Sequence, residues 1–119
     1  MSNPLDIVKL TALLELTTGR PEIMVGLIDG PVAMSHPDLM GENIREVPGK
    51  SGACAQASSS ACMHGTFVAG ILSAKRSSKA PAICPNCTLL VRPIFAETAQ
   101  GQMPSAIPKE LAEAIYRLH

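Results

Sequence analysis

Five stretches of the chain carry a regular hydrophobic pattern. In the first, Leu5, Val8, Ala12 and Leu16 lie along one helical stripe, and Ile7, Leu10 and Leu14 widen it. The spacing predicts a packing helix over residues 4–18. Asn3 suits its N-cap, Pro4 its first position and Gly19 its C-terminal stop. Ile23-Met24-Val25-Gly26-Leu27-Ile28 is a continuous apolar run closed by Asp29-Gly30-Pro31. That is the pattern of a parallel strand covered on both faces. Residues 64–76 predict a helix with Phe67, Val68, Ile71 and Leu72 on one side and Lys75 and Arg76 at its C-terminal end. Gly65 and Gly70 are poor helix formers and signal a close backbone approach. Residues 88–95 predict a second strand, limited by Pro93. Leu111, Ala114, Ile115 and Leu118 predict a helix over 105–119, with Pro108 tolerated in its first turn. Residues 30–63, rich in Pro, Gly and Ser, read as irregular, and a loop of that length in a small domain points to function.

Strand, helix, strand in this order makes a βαβ unit and places the chain in the α/β class. Its length of 119 residues fits one domain or part of a larger one. With 46% hydrophobic and 17% charged residues it is not a disordered chain. A formal net charge of zero and only three aromatic residues give no footprint for nucleic acid. No apolar run suggests a membrane span. The N-terminus lacks the basic region of a secretory signal, so a cytoplasmic protein with mostly reduced thiols is expected. No cofactor is implied. The last helix runs to His119 with neither a cap nor a following strand, which reads as a cut inside a domain. A sheet cut there would leave an unpaired strand, so self-association is expected.

Chemistry in open parallel sheets gathers at the carboxyl ends of the strands. Asp29 stands at such an end, and His64 opens the next predicted helix at the same rim. If they meet, Asp29 accepts the ring N–H of His64 and leaves the other nitrogen as a base. The four cysteines offer a rival reading. Cys84-Pro85-Asn86-Cys87 has the spacing of a zinc knuckle, with Cys54, Cys62 and His64 as partners. Free thiols, or any of three disulfide connectivities, explain the same residues. Gly49-Lys50-Ser51 imitates the end of a phosphate-binding loop. Ile44 stands where that loop needs glycine, and no strand is predicted before it.

Three words occur in order: Val25-Gly26-Leu27-Ile28-Asp29-Gly30, Ser35-His36-Pro37-Asp38-Leu39 and His64-Gly65-Thr66-Phe67-Val68-Ala69-Gly70. Together they resemble the subtilisin-like serine protease family, in which Asp precedes His along the chain. Ala80-Pro81 and the strand Leu89-Leu90-Val91 fit the same pattern, so the resemblance covers roughly residues 22–118. Asp29-Gly30-Pro31-Val32 and Arg92-Pro93-Ile94-Phe95 look most like the proteases that mature ribosomally made peptides of the cyanobactin type. The resemblance implies a truncated three-layer parallel sheet of subtilisin type. It implies an endopeptidase acting on a peptide or protein precursor, with His64 as general base and Asp29 as its partner. It divides the chain into an N-terminal helix and linker over 1–21 and the first portion of a catalytic domain over 22–119. Phe67 replaces the second His of the usual helix word, and Gly30-Pro31 replaces the usual Ser-Gly. The Gly-Thr-Ser word that carries the family's nucleophile does not occur in these 119 residues, so they are expected not to hydrolyse peptides by themselves. A non-catalytic partner of protease-like fold is the alternative.

Overall fold

The apolar run before Asp29 forms strand β1 (Met24–Asp29), which pairs in parallel with β3 (Thr88–Pro93) in the register Met24↔Thr88 to Asp29↔Pro93. A computed structural model describes residues 4–99 and 101–119 of the chain. A third strand, β2 (Ile44–Glu46), lies parallel on the other side of β3, giving the order β1-β3-β2. Its three residues fall inside the stretch expected to be irregular. They are too few to show a period and are held by pairing with β3 (Ile44↔Leu89 to Glu46↔Val91).

Helix α3 (Ser60–Ser73) connects β1 and β2 to β3, and α4 (Pro108–Leu118) follows β3. Successive strand residues face opposite sides of a sheet. Leu27, Leu89 and Val91 pack with Ala69 of α3 in one core cluster. Gly26, on the other face of β1, lies under Leu118 of α4, where an added Cβ would come within 2.8 Å of Leu118 Cδ1. The chain therefore has three layers, α3, sheet and α4. Burying a Leu or Val of this core contributes about 1.5–3 kcal/mol.

Helix α3 begins four residues before the expected start, so His64 sits on its second turn. Ser59 supplies the cap: its Oγ accepts the Cys62 N–H at 3.2 Å. The fully buried residues of α3 are small, Ala61, Cys62, Gly65, Ala69 and Ser73, and Val68 and Leu72 pack half-buried against the same core, as expected. Phe67 and Ile71, expected in the core, are exposed beside an apolar groove of about 530 Å³. The small stripe wins because it lets helix and sheet backbones approach closely. Lys75 and Arg76 lie beyond the helix end.

The expected helix over 4–18 is two short ones, α1 (Pro4–Ile7) and α2 (Thr11–Leu16). Its expected cap, Asn3, lies outside the described residues. The break is at Lys9, whose φ is +61°. There Leu10 N–H bonds Leu5 C=O at 2.8 Å and Lys9 N–H bonds Asp6 C=O at 3.1 Å. These are the paired closing bonds of a Schellman turn, built on Lys where Gly is usual. Nothing in the identity of Lys9 announces it. Arg76 then straps the segment down, donating to the carbonyls of Leu14, Thr17, Ala82 and Ile83 at 2.9–3.3 Å.

Among the described residues no helix is long and apolar enough to cross a membrane.

Candidate active site

Asp29 is the last residue of β1 and its carbonyl is held by the first residues after β3, with Ile94 N–H at 2.8 Å and Phe95 N–H at 3.4 Å. One carboxylate oxygen, Oδ1, also accepts Gly30 N–H at 2.5 Å. The carboxylate is largely covered and aims at α3. His64 Nδ1 lies 2.9 Å from Oδ1 and 3.0 Å from Oδ2. An ionised carboxylate can only accept, so Nδ1 carries the proton and donates it. Nε2 is then the unprotonated nitrogen of the neutral ring. The His64 side chain is 68% exposed against 14% for Asp29, so the carboxylate is largely enclosed and the imidazole ring is accessible.

The words around these residues have local causes. Gly65 follows His64 because α3 meets the end of β1 backbone to backbone. A Cβ at Gly65 would lie 2.4 Å from the Gly30 carbonyl oxygen and 2.5 Å from that of Pro31. Gly30 is held to glycine in turn, since its Cβ would stand 2.1 Å from the Ala61 carbonyl oxygen. Thr66 accepts Ala33 N–H through Oγ1 at 2.8 Å, tying the helix to the loop after β1. His36 accepts Asp38 N–H at 3.1 Å within its own turn, so the His-Pro-Asp word is a structural corner. A cleft of about 510 Å³ opens beside the pair, lined by Asp29, His64, Ser60, Phe95 and Met103. That is room for a few residues of an extended peptide.

The zinc set does not assemble. Cys54 and Cys62 form a disulfide, which also corrects the expectation of mostly reduced thiols. Cys84 and Cys87 are thiols in the loop before β3, at the opposite end of the strands. Helix α3 runs from the carboxyl ends of the strands, where His64 meets Asp29, back to their amino ends, where Cys84 N–H bonds the Leu72 carbonyl, and so separates the two pairs. Cys87 packs against Gly19, where a Cβ would meet its sulfur at 2.5 Å. Burial pushes the Cys84 thiol up from 9.0 to about 11; the adjacent Cys87 adds to this and nearby Arg76 opposes it.

Sequence reasoning missed Glu97. Its carboxylate accepts Ala55 N–H at 2.9 Å, Gln56 N–H at 2.8 Å and Ser59 Oγ–H at 2.7 Å. The Gln56 and Ala55 amides, then the Ser59 hydroxyl, hold it below the usual carboxylate range. Its partners lie 38–42 positions away, and no local pattern links them.

No protein-family model and no curated protein matches the chain. Solved structures do. The structure of a serine-to-alanine mutant of the protease domain of PatA is 30% identical with a TM-score of 0.76, over 84% of this chain and 35% of that one. The prenylagaramide maturation protease PagA is 30% identical with a TM-score of 0.73, over 91% and 34%. The PatG macrocyclase in complex with peptide, at 16% identity and a TM-score of 0.59 over 77% and 39%, shares the fold. The chain thus spans about a third of the length of PatA and PagA. Over that third it has the three-layer parallel architecture of subtilisin-like protease domains and is similar to the protease domain of PatA and to the maturation protease PagA.

Proposed function

We propose that these residues carry the acid–base half of a serine-type endopeptidase that cleaves a precursor peptide during maturation of a ribosomally made product. The observation that carries the reading is the His64 Nδ1 contact to both oxygens of Asp29 at a strand end, with the ring accessible beside a cleft. In the proposed reaction a serine hydroxyl attacks the peptide carbonyl while His64 Nε2 takes its proton. Asp29 holds the ring's orientation and balances the imidazolium that forms. His64 then returns the proton to the leaving amine, and water releases the acyl group by the same route.

Residues 1–21 are proposed as a packing appendage and 22–119 as the first portion of the catalytic domain, with the serine supplied outside them. The substrate is proposed to be a peptide lying in the cleft against Phe95 and Met103. A cytoplasmic location is retained as a proposal. The Cys54–Cys62 bond bears against it, because cytosolic thiols are kept reduced, and mass spectrometry after alkylation in cell lysate decides it.

The test is labelling of the full-length protein with a serine-reactive fluorophosphonate. Wild type is expected to label. His64→Ala is expected to lose about 10⁶-fold in kcat, the loss measured for the histidine of subtilisin itself. Equal labelling of the two overturns the assignment of His64. A folded wild type that neither labels nor cleaves peptide is the non-catalytic partner.

A further inference from the structure

We propose that Glu97 is a positioning residue for the His64 base, acting through the cap of α3. This rests on the reading of His64 as the base. The segment after β3 touches both halves of the pair. Its first residues, Ile94 and Phe95, hold the Asp29 carbonyl through their N–H groups. Four residues beyond β3, Glu97 gathers the loop that leads into α3. One short stretch of backbone therefore fixes where β1 ends and where α3 begins.

The bond pattern at Ser59 gives the coupling its direction. A hydroxyl has one proton and two lone pairs. Ser59 spends its proton on Glu97 Oε1, which turns a lone pair toward Cys62 N–H and makes the cap. With Glu97 gone, the hydroxyl can turn and the first turn of α3 loses a bonded amide. Met63 N–H still bonds the Ser59 carbonyl at 2.9 Å, and His64 is the next residue. Its ring is mostly exposed and has Asp29 as its hydrogen-bond partner. Its place therefore depends on where this turn sits.

The Cys54–Cys62 disulfide ties the same loop to α3 independently of Glu97. Removing the carboxylate should therefore loosen the loop without releasing it, which keeps the variants foldable.

The test uses nuclear magnetic resonance on residues 1–119, comparing wild type, Glu97→Ala and Glu97→Gln. In Glu97→Ala, exchange of the Ala55, Gln56 and Cys62 amides is expected to rise by about 10-fold or more. The share of His64 rings with the proton on Nδ1, read from the ring nitrogen shifts, is expected to fall. Glu97→Gln keeps an acceptor oxygen for Ser59 and is expected to restore the His64 signal while only partly protecting Ala55 and Gln56. If Glu97→Ala loosens the amides or lowers the melting temperature but leaves the His64 signal at its wild-type value, Glu97 only stabilises and the proposal falls. It falls equally if Glu97→Gln fails to restore a signal that Glu97→Ala lost. A wild type that already lacks the Nδ1 proton overturns the reading of His64 instead, so the two failures are distinct.

Discussion

Gly30 and Gly65 face one another across the seam between β1 and α3, and the close contacts there are with backbone oxygens rather than with flexible side chains. A methyl group at either position has nowhere to go. Gly65→Ala is expected to cost about 1–3 kcal/mol by overpacking. Urea unfolding measures it; a stability equal to wild type would mean that helix and strand are not in backbone contact. Sequence reading identified Gly65 as a close-approach residue because glycine in a helix needs a reason. It could not say what approached. Cys84 gives a second test at this scale. Burial disfavours the thiolate, so alkylation by iodoacetamide is expected to stay slow at pH 8 and to accelerate only toward pH of about 11. The unfolded thiol ionises from 9.0, so the stability this group supports is complete below that pH and is lost as pH rises to about 11. An alkylation rate at pH 8 matching an unstructured thiol would contradict the half-buried placement of Cys84 beside Cys87.

At the scale of elements, β1, β3 and α4 were legible because each writes its own pattern: a two-sided apolar run, a second such run ended by proline, and an i, i+3, i+4, i+7 stripe. β2 was not, because three residues paired to β3 carry no period of their own. The start of α3 was misplaced because its inner face is small, and small residues leave little hydrophobic signal. The N-terminal helix looks continuous in sequence because Lys9 is an ordinary helix former by propensity. Its left-handed backbone is imposed by the closing bonds around it. Lys9→Gly is accordingly expected to raise stability by up to about 1 kcal/mol. A fall in melting temperature on that substitution would place Lys9 in a continuous helix instead. The disulfide and the Glu97 brace were illegible for a different reason. Both depend on loops brought together by the sheet, and loop residues have no periodicity to read.

At the scale of the molecule, the outer edges of β1 and β2 have no strand partner among the described residues. Met24 on β1 and Ile115 and Tyr116 on α4 are exposed. Residues 1–119 are therefore expected to self-associate, with an average mass that rises with concentration in sedimentation equilibrium. A monomer mass at all concentrations would contradict this. Of the three words that carry the resemblance, the Ser35–Leu39 turn lies at the far end of α3, where the Asp38 carbonyl accepts Lys75 N–H at 3.0 Å; the other two meet at the carboxyl edge of the βαβ unit. Asp29, His64, Gly65 and Thr66 are each fixed there by a specific contact. The most direct measurement is the nitrogen chemical shift pair of the His64 ring in residues 1–119 at pH 8. With Asp29 accepting from Nδ1, the ring is expected to hold its proton on Nδ1 and to leave Nε2 bare, and Asp29→Ala is expected to shift the balance toward the Nε2 proton. A wild-type ring protonated on Nε2, unchanged when Asp29 is removed, would show that the two residues are not coupled and that His64 is not the base.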